Sequence, residues 1–284
     1  MSKIGVLVCG NSGIDYIKHD YDIPVLRSIL FVGDKEYEDF VDITATEFYN
    51  RLLEDPSLSP STSQVPTGIA LEKYQAMVDK GYDELLVITI SEKLSGTYAG
   101  CVLAANMLED VKVTVFDSKT VAYPEAKMAL DAAKMAQEGK SLEEIIERLE
   151  FIRDNSMIWF SVETLRYLVK NGRLSGAAGF MGSLMKIKPM LEVTKEGKVE
   201  SIEKIRTSSK ATLRMIEKFI EEVEGKEVEA FIINTNNEER AKFVAEEVLK
   251  VRPDIRDIDE YPLTPVVGAH GGPGLVGIGY IVKK

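Results

Sequence analysis

The sequence is poor in the residues that mark specialised chemistry. Its 284 residues include 2 cysteines, 2 histidines and 1 tryptophan. Cys9 falls in an apolar run and Cys101 in a helical one, with no Cys-x-x-Cys pair and no Cys/His spacing. That pattern argues against a zinc site and against a disulfide scaffold, and the two thiols read as small buried hydrophobes. Positive charge is scarce as well. Lys plus Arg number 35 against 46 Asp plus Glu, a net charge of −11. A nucleic-acid binder needs a basic surface to displace counterions, so no nucleic-acid partner is expected. Charge-driven docking on anionic lipid is disfavoured on the same ground. Long hydrophobic runs are missing too. The apolar stretch from Ile4 to Cys9 is too short for a signal peptide or a bilayer span, so no integral membrane segment and a cytoplasmic location are expected.

What is present is an ordinary globular composition, 45% hydrophobic and 29% charged, on a chain long enough for two domains. The first half alternates strand and helix. Ile4–Cys9 reads as a buried strand running into Gly10-Asn11-Ser12-Gly13, and Gly33-Asp34 between Val25–Val32 and Glu36–Val41 signals a hairpin. Helices follow at Thr44–Glu54, from Pro66 to Lys80, at Gly96–Leu108, Pro124–Gln137 and Leu142–Asp154. The last has Ser141 and Glu144 spaced as a capping box. Strands are expected at Glu84–Ile90 and Val111–Phe116, and Ser57–Pro66 reads as a polar loop. This alternation predicts a mainly parallel sheet covered on both faces.

The second half mixes a hairpin around Glu196-Gly197 with strands at Met157–Val162, Glu227–Asn234 and Gly277–Val282. Helices are expected at Glu163–Lys170, Ala177–Met185, Ser208–Val223 and Glu238–Val251. The expected class is therefore α/β in two domains: a mainly parallel α/β domain over 1–156 and a mixed α/β (α+β) domain over 157–284, with a ligand between them.

Two loops share one design, hydroxyls just ahead of a helix: Thr62-Ser63 before the helix that Pro66 opens, and Leu94-Ser95-Gly96-Thr97. A helix start offers unpaired N–H groups and the positive end of a dipole, so such loops suit a carboxylate or a phosphate. Spacing alone leaves simple capping by Thr62 and Ser95 the plainer role. The tail holds a literal GxGxxG at Gly272–Gly277, but a dinucleotide fold needs about 30 further residues and an acidic residue about 20 on, and the chain ends at Lys284. His270, set among glycines, is open to either a polar contact or a structural hydrogen bond. No nucleophile elbow exists, although Ser95, His270 and Asp117 together would allow a hydrolase triad. Arg173 follows a helix stop and is either an exposed helix-end charge or an anion or partner contact.

Several segments in order resemble the DegV family, also called fatty-acid-binding FakB-type proteins. They are Thr62-Ser63-Gln64, Ser91-Glu92-Lys93-Leu94-Ser95-Gly96-Thr97-Tyr98, Val115-Phe116-Asp117-Ser118, Leu168-Val169-Lys170-Asn171-Gly172-Arg173-Leu174-Ser175, Ile187-Lys188-Pro189-Met190-Leu191 and Gly268-Ala269-His270-Gly271-Gly272-Pro273-Gly274. Together they span nearly the whole chain, about 3–282, as one unit. The resemblance implies a long-chain, palmitate-like fatty acid held between two α/β domains, its carboxylate on Thr62 and Ser95, with Ser63, Gly96 and His270 as neighbours. It implies no catalytic residue, no metal and no cofactor. It also implies presentation of the acid to a separate fatty acid kinase, with Arg173 as a candidate docking residue for that partner. Two departures touch the first loops. Cys9-Gly10-Asn11-Ser12 stands where family members carry an Asp-Ser pair, and Val65 separates Gln64 from the expected proline.

The physics allows such a ligand. Burying about fourteen methylenes is worth up to roughly 11 kcal/mol before the costs of binding. A carboxylate leaving water must then be hydrogen-bonded, which hydroxyls and N–H groups can do. The apolar positions of Phe180–Leu191 would serve equally as a tunnel wall or as ordinary core. A serine acyl hydrolase or transferase using Ser95, and a binder of a phosphorylated metabolite, are the competing readings.

Overall fold

The computed structural model describes residues 3–109, 111–180, 187–256 and 258–284. The first strand, β1 (Ile4–Cys9), is buried along its whole length. It is followed by β2 (Val25–Leu26), β3 (Ile29–Val32) and β4 (Lys35–Glu38). Helix α1 (Ala45–Glu54) starts at a Thr44–Glu47 capping box. The chain then forms β5 (Ser61–Thr62), α2 (Thr67–Asp79), β6 (Glu84–Thr89), α3 (Thr97–Ala105), β7 (Lys112–Asp117), α4 (Tyr123–Gln137) and α5 (Leu142–Asp154). Next come β8 (Ser156–Ser161), α6 (Arg166–Lys170), β9 (Met190–Val193), β10 (Val199–Glu203), α7 (Ser208–Glu222), β11 (Val228–Asn234) and α8 (Glu238–Val251). The chain closes with β12 (Ile258–Pro262), α9 (Pro265–Gly271) and β13 (Val276–Val282).

Three sheets result among the described residues. Strands β2-β1-β6-β7 make a parallel sheet. Leu7, Val87 and Leu85 pack on one of its faces under α2 and α3, and Val6, Val8, Leu86 and Ile88 pack on the other. Burial on both faces explains the continuous apolar runs read in the sequence. Strands β10-β9-β8-β13-β11-β12 make a mixed sheet in which only β11 and β12 run parallel. A small antiparallel sheet, β4-β3-β5, lies beside α1 and α9, and one core cluster joins Leu30, Phe48 and Tyr49 to Val266 and Ala269. The architecture is mixed α/β, as expected.

Several local expectations need correction. Ser57–Pro66 is not all loop: Thr62 pairs with Leu30 and Ser61 with Phe31, and a two-residue strand leaves no periodicity to read. Val25–Val32 is two strands in two different sheets. Pro66 is the N-cap of α2 rather than part of its first turn. Strand β12 is polar and sits at a sheet edge, so it carries no apolar alternation. Helix α9 was hidden by its glycines, which lower helix propensity, though Pro265 sits at its start where proline is tolerated. Ala177–Phe180 is a short 3-10 turn, and the rest of the helix expected there, residues 181–186, lies outside the described residues. Within Phe180–Leu191, Met190 and Leu191 are fully buried core on opposite faces of the mixed sheet.

Candidate functional site

A cavity lies where the carboxyl edge of the parallel sheet faces one side of the mixed sheet. Its volume is about 160 Å³. Its polar wall comes from loops following parallel strands, the usual ligand crevice of an open α/β sheet. Asn11 follows β1, Ser95 and Gly96 follow β6, and Val121 follows β7. Thr62 and Ser63 enter from the small sheet, and His270 from α9. Thr62, Ser63, Ser95, Gly96, His270 and Arg173 all line this one cavity, and Asp117 does not.

Neither candidate hydroxyl caps its helix as an N-cap residue. Gly96 is the N-cap of α3 and Pro66 that of α2, and neither supplies a side-chain cap. Ser95 Oγ instead shares a hydrogen bond with Thr97 Oγ1 at 2.9 Å and accepts one from the Thr97 N–H at 3.2 Å. Thr97 Oγ1 in turn accepts from the Val65 N–H at 3.2 Å, which ties the two hydroxyl loops together. The hydroxyl of Thr62 lies 2.9 Å from His270 Nε2.

Burial, and then the charge of Arg173, pushes the His270 imidazole down to about 4, so it is neutral at physiological pH. Its Nδ1 is buried without a hydrogen-bond partner, and so is the Asn11 side-chain Nδ2. Arg173 donates to the Leu94 carbonyl at 3.0 Å and to the Asn171 carbonyl at 2.6 Å. Among the described residues no carboxylate lies within ion-pair distance of it.

Asn171 was quoted in the sequence only as a neighbour of Arg173, yet it organises the polar end. Its amide donates to the carbonyls of Pro60 at 3.3 Å and Ala269 at 3.0 Å, two residues before Thr62 and one before His270. Its own carbonyl accepts from Arg173. The only signal available was its place after a helix and before a glycine. Gly197 is a second such position. It has a φ of +81°, and its Cα hydrogens face Ser91, whose Oγ donates to the Gly197 carbonyl at 2.7 Å. A Cβ there would come within 2.1 Å of that Oγ. This contact ties the β9–β10 hairpin to the loop that carries Ser95.

The hydrolase triad is not assembled. His270 Nε2 bonds Thr62 rather than Ser95, and Asp117 Oδ1 accepts from the N–H groups of Glu92 and Lys119. With Nδ1 unpartnered, nothing orients the imidazole as a base for Ser95. Among the described residues no group of three or more His, Cys, Asp or Glu could hold a metal ion. No helix among them is long and apolar enough to cross a membrane.

Apart from Ser28 and Gln64, the rest of the wall is mostly apolar and includes Ile158, Phe160, Val193, Val199, Ile233 and Leu275. The fold and cavity thus define a class, an open α/β protein with a largely apolar pocket that carries a polar cluster. The chain belongs to the DegV family. The family model described as "Uncharacterised protein, DegV family" matches residues 5–283. A DegV domain-containing protein of Halalkalibacterium halodurans is 32% identical over 263 residues, covering 92% of each chain. Among solved structures, the fatty-acid-binding DegV protein of Bacillus subtilis is 30% identical with a TM-score of 0.87, covering 100% of both chains. A DegV family protein from Thermus thermophilus, described for its fatty acid binding, is 28% identical with a TM-score of 0.89, covering 99% of this chain and 100% of that one.

Proposed function

We propose that this protein binds one long-chain fatty acid in the cavity, carboxylate at the polar end, and acts as a carrier that presents the acid to a separate fatty acid kinase. The observation that carries the reading is the joining of two surfaces in one cavity. One end gathers the hydroxyls of Thr62 and Ser95 beside the start of α3; most of the rest is apolar wall. The relatives described as fatty acid binders support the ligand class. Thr62 and Ser95 hold the carboxylate in this reading, with Ser63, Gly96 and the neutral His270 beside it. Arg173 faces the same cavity without an acidic partner among the described residues, which favours a role opposite the ligand's charge over one reserved for docking. A buried carboxylate needs such donors, and charge-assisted bonds are the strong ones. The division into two lobes near residue 156 is supported by every strand of the mixed sheet lying at or beyond Ser156; presentation to a kinase rests on the family resemblance alone.

The test is extraction of the purified protein with organic solvent and mass spectrometry of the extract, followed by titration with palmitate. A co-purified long-chain acid and saturable palmitate binding are expected. The paired substitution Thr62→Ala with Ser95→Ala should weaken palmitate binding by about a hundredfold, since two hydrogen bonds to a charged group are lost. Unchanged binding in that variant would refute the assignment of the grip.

A further inference from the structure

The chain has 2 cysteines among its 284 residues, and the fold brings them together. Cys9 is the last residue of β1, and Cys101 lies midway along α3. Both belong to the core cluster under α2 and α3, with Leu7, Tyr74, Val87 and Ala104. Both are buried free thiols. Their side chains are hydrogen-bonded to each other. The Tyr74 hydroxyl stands beside them, donating to the Cys101 carbonyl at 3.3 Å. Packing alone asks for two small residues in this core. It does not ask that the only two thiols of the chain be neighbours.

The two thiols are unlike. Its bond to Cys101, with burial second, holds the Cys9 thiol well above its ordinary range. The bond from Cys9 draws the Cys101 thiol down, against the opposing effect of burial. Cys101 is therefore the better source of thiolate, and the thiolate is the nucleophile. Cys9 is the protonated neighbour placed to close a second step. The pair also lies only one helix below the surface. Helix α3 has nine residues, none charged, and no side-chain cap at its start, and Leu103 on its outer side is exposed. A short segment of this kind opens locally without unfolding the whole chain.

We propose that Cys9 and Cys101 are an oxidant-responsive pair that closes to an intramolecular disulfide and so lowers affinity at the polar end of the cavity. The oxidant is a peroxide, hydrogen peroxide in the simplest case. The Cys101 thiolate attacks one peroxide oxygen, the O–O bond breaks, and the departing hydroxide takes up a proton to leave as water. Cys101 is then a sulfenic acid. The Cys9 sulfur attacks the Cys101 sulfur, the S–O bond breaks, and the Cys9 proton leaves with that oxygen as a second water. Two thiols and one hydrogen peroxide thus give one disulfide and two waters. The link reaches the cavity by two short paths. Cys9 is followed by Gly10 and the cavity-lining Asn11, and Cys101 sits one turn beyond Thr97, whose hydroxyl is bonded to Ser95. Drawing the sulfurs to a bond of about 2.05 Å pulls α3 toward β1 and moves that hydroxyl pair. The effect on affinity rests on the fatty-acid reading above; the disulfide does not.

The test reduces the purified full chain, removes the reductant and adds hydrogen peroxide. Intact mass, non-reducing peptide mapping and palmitate titration follow, before and after dithiothreitol. A loss of two hydrogens and a linked Cys9–Cys101 peptide are expected. Palmitate affinity should fall by about tenfold, the equivalent of one well-placed hydrogen bond, and dithiothreitol should restore it. Cys9→Ala and Cys101→Ala, checked for folding by circular dichroism, should form no link and keep their affinity under the same treatment. Thiols that stay free in the folded chain and react only in urea would overturn the modification site. A disulfide that leaves palmitate affinity unchanged, or an equal loss in the single variants, would overturn its link to the cavity. A chain that forms the disulfide but never binds palmitate would overturn the fatty-acid reading and support the modification site.

Discussion

The two large sheets meet at one cavity but bring different materials to it. The parallel sheet contributes loop ends: Asn11, Ser95 and Val121 stand beyond the carboxyl termini of three neighbouring strands. Its central strands β1 and β6 are almost wholly buried, so their own side chains have little free surface to offer. The mixed sheet contributes a face. Its strands alternate between a core under α7 and α8, with Trp159, Ile232 and Ile278, and the cavity side, with Ile158, Phe160 and Ile233. On the reading proposed above, grip falls to loop hydroxyls and the start of a helix, and reach to the apolar face of the mixed sheet. The comparison then predicts that head-group recognition and chain recognition can be changed separately.

The largest effect should come from filling the space over Gly279 in β13. In Gly279→Ala the new methyl would meet the Phe231 ring at 2.3 Å and the Met157 carbonyl oxygen at 2.5 Å. Backbone cannot step aside as a flexible side chain can. A loss of about 3 kcal/mol of stability is expected, the upper range for overpacking. Urea unfolding measures it. A variant as stable as the native chain would mean the sheet there is softer than its packing indicates.

The second test separates the two ends of α9. Asp39 lies at its start, accepting from the Val266 N–H at 3.3 Å, and burial pushes its carboxyl up to about 7. His270 lies at its end with an imidazole pushed down to about 4. The signs are opposite. Asp39 holds its proton in the fold where the unfolded chain has lost it, so its contribution is present below pH 4 and is lost as pH rises through 7. His270 stays neutral in the fold where the unfolded chain takes a proton, so its contribution is present above pH 6.5 and is lost as pH falls toward 4. Each is worth on the order of 3–4 kcal/mol. His270→Gln should therefore leave stability that declines toward alkaline pH, and Asp39→Asn stability that declines toward acid. Denaturant midpoints between pH 4 and 8 decide it; slopes of the same sign in both variants would contradict this assignment.

A smaller effect is expected at Asn171. In Asn171→Ala the Pro60 and Ala269 carbonyls lose their donor, at about 1–2 kcal/mol. Thr62 and His270 are then less well positioned, so affinity should fall about tenfold for every chain length alike. An altered chain-length ranking would break the separation between grip and reach.

How much of this was legible depends on how local the determinant was. Leu142–Asp154 was readable to the residue because its signals, a capping box and the face Leu142, Ile145, Leu149 and Ile152, are all near in sequence. The central parallel strands β1 and β6 were readable because burial on both faces leaves a plain apolar run. Thr62 and Ser95 were readable as hydroxyls near helix starts, but not as partners of His270 and Thr97. Thr62 and His270 are joined by a bond across 208 positions, and no periodicity reports that. Strand β5 and the work of Asn171 were hidden for the same reason, each being specified by what it meets in space, whereas helix α9 was masked by its glycines. The crowding over Gly279 could not be read at all, since a glycine in a strand says that something comes close without saying what.

The smallest effect provides the control for the rest. Ser141 caps α5, with its Oγ accepting from the Glu144 N–H at 3.3 Å and the Glu144 carboxylate accepting from the Ser141 N–H at 2.9 Å. The box is exposed, and neither residue lines the cavity. Ser141→Ala should cost about 1 kcal/mol, the ordinary value of an N-cap. Because α5 packs its buried face into the core shared by both sheets, this loss bears on grip and reach equally and on neither specifically. Palmitate affinity and the chain-length ranking should both match the native chain at temperatures well below unfolding. If this variant lost affinity as Asn171→Ala is expected to, general loosening of the fold would explain both, and the claim that Asn171 positions the polar end would fail.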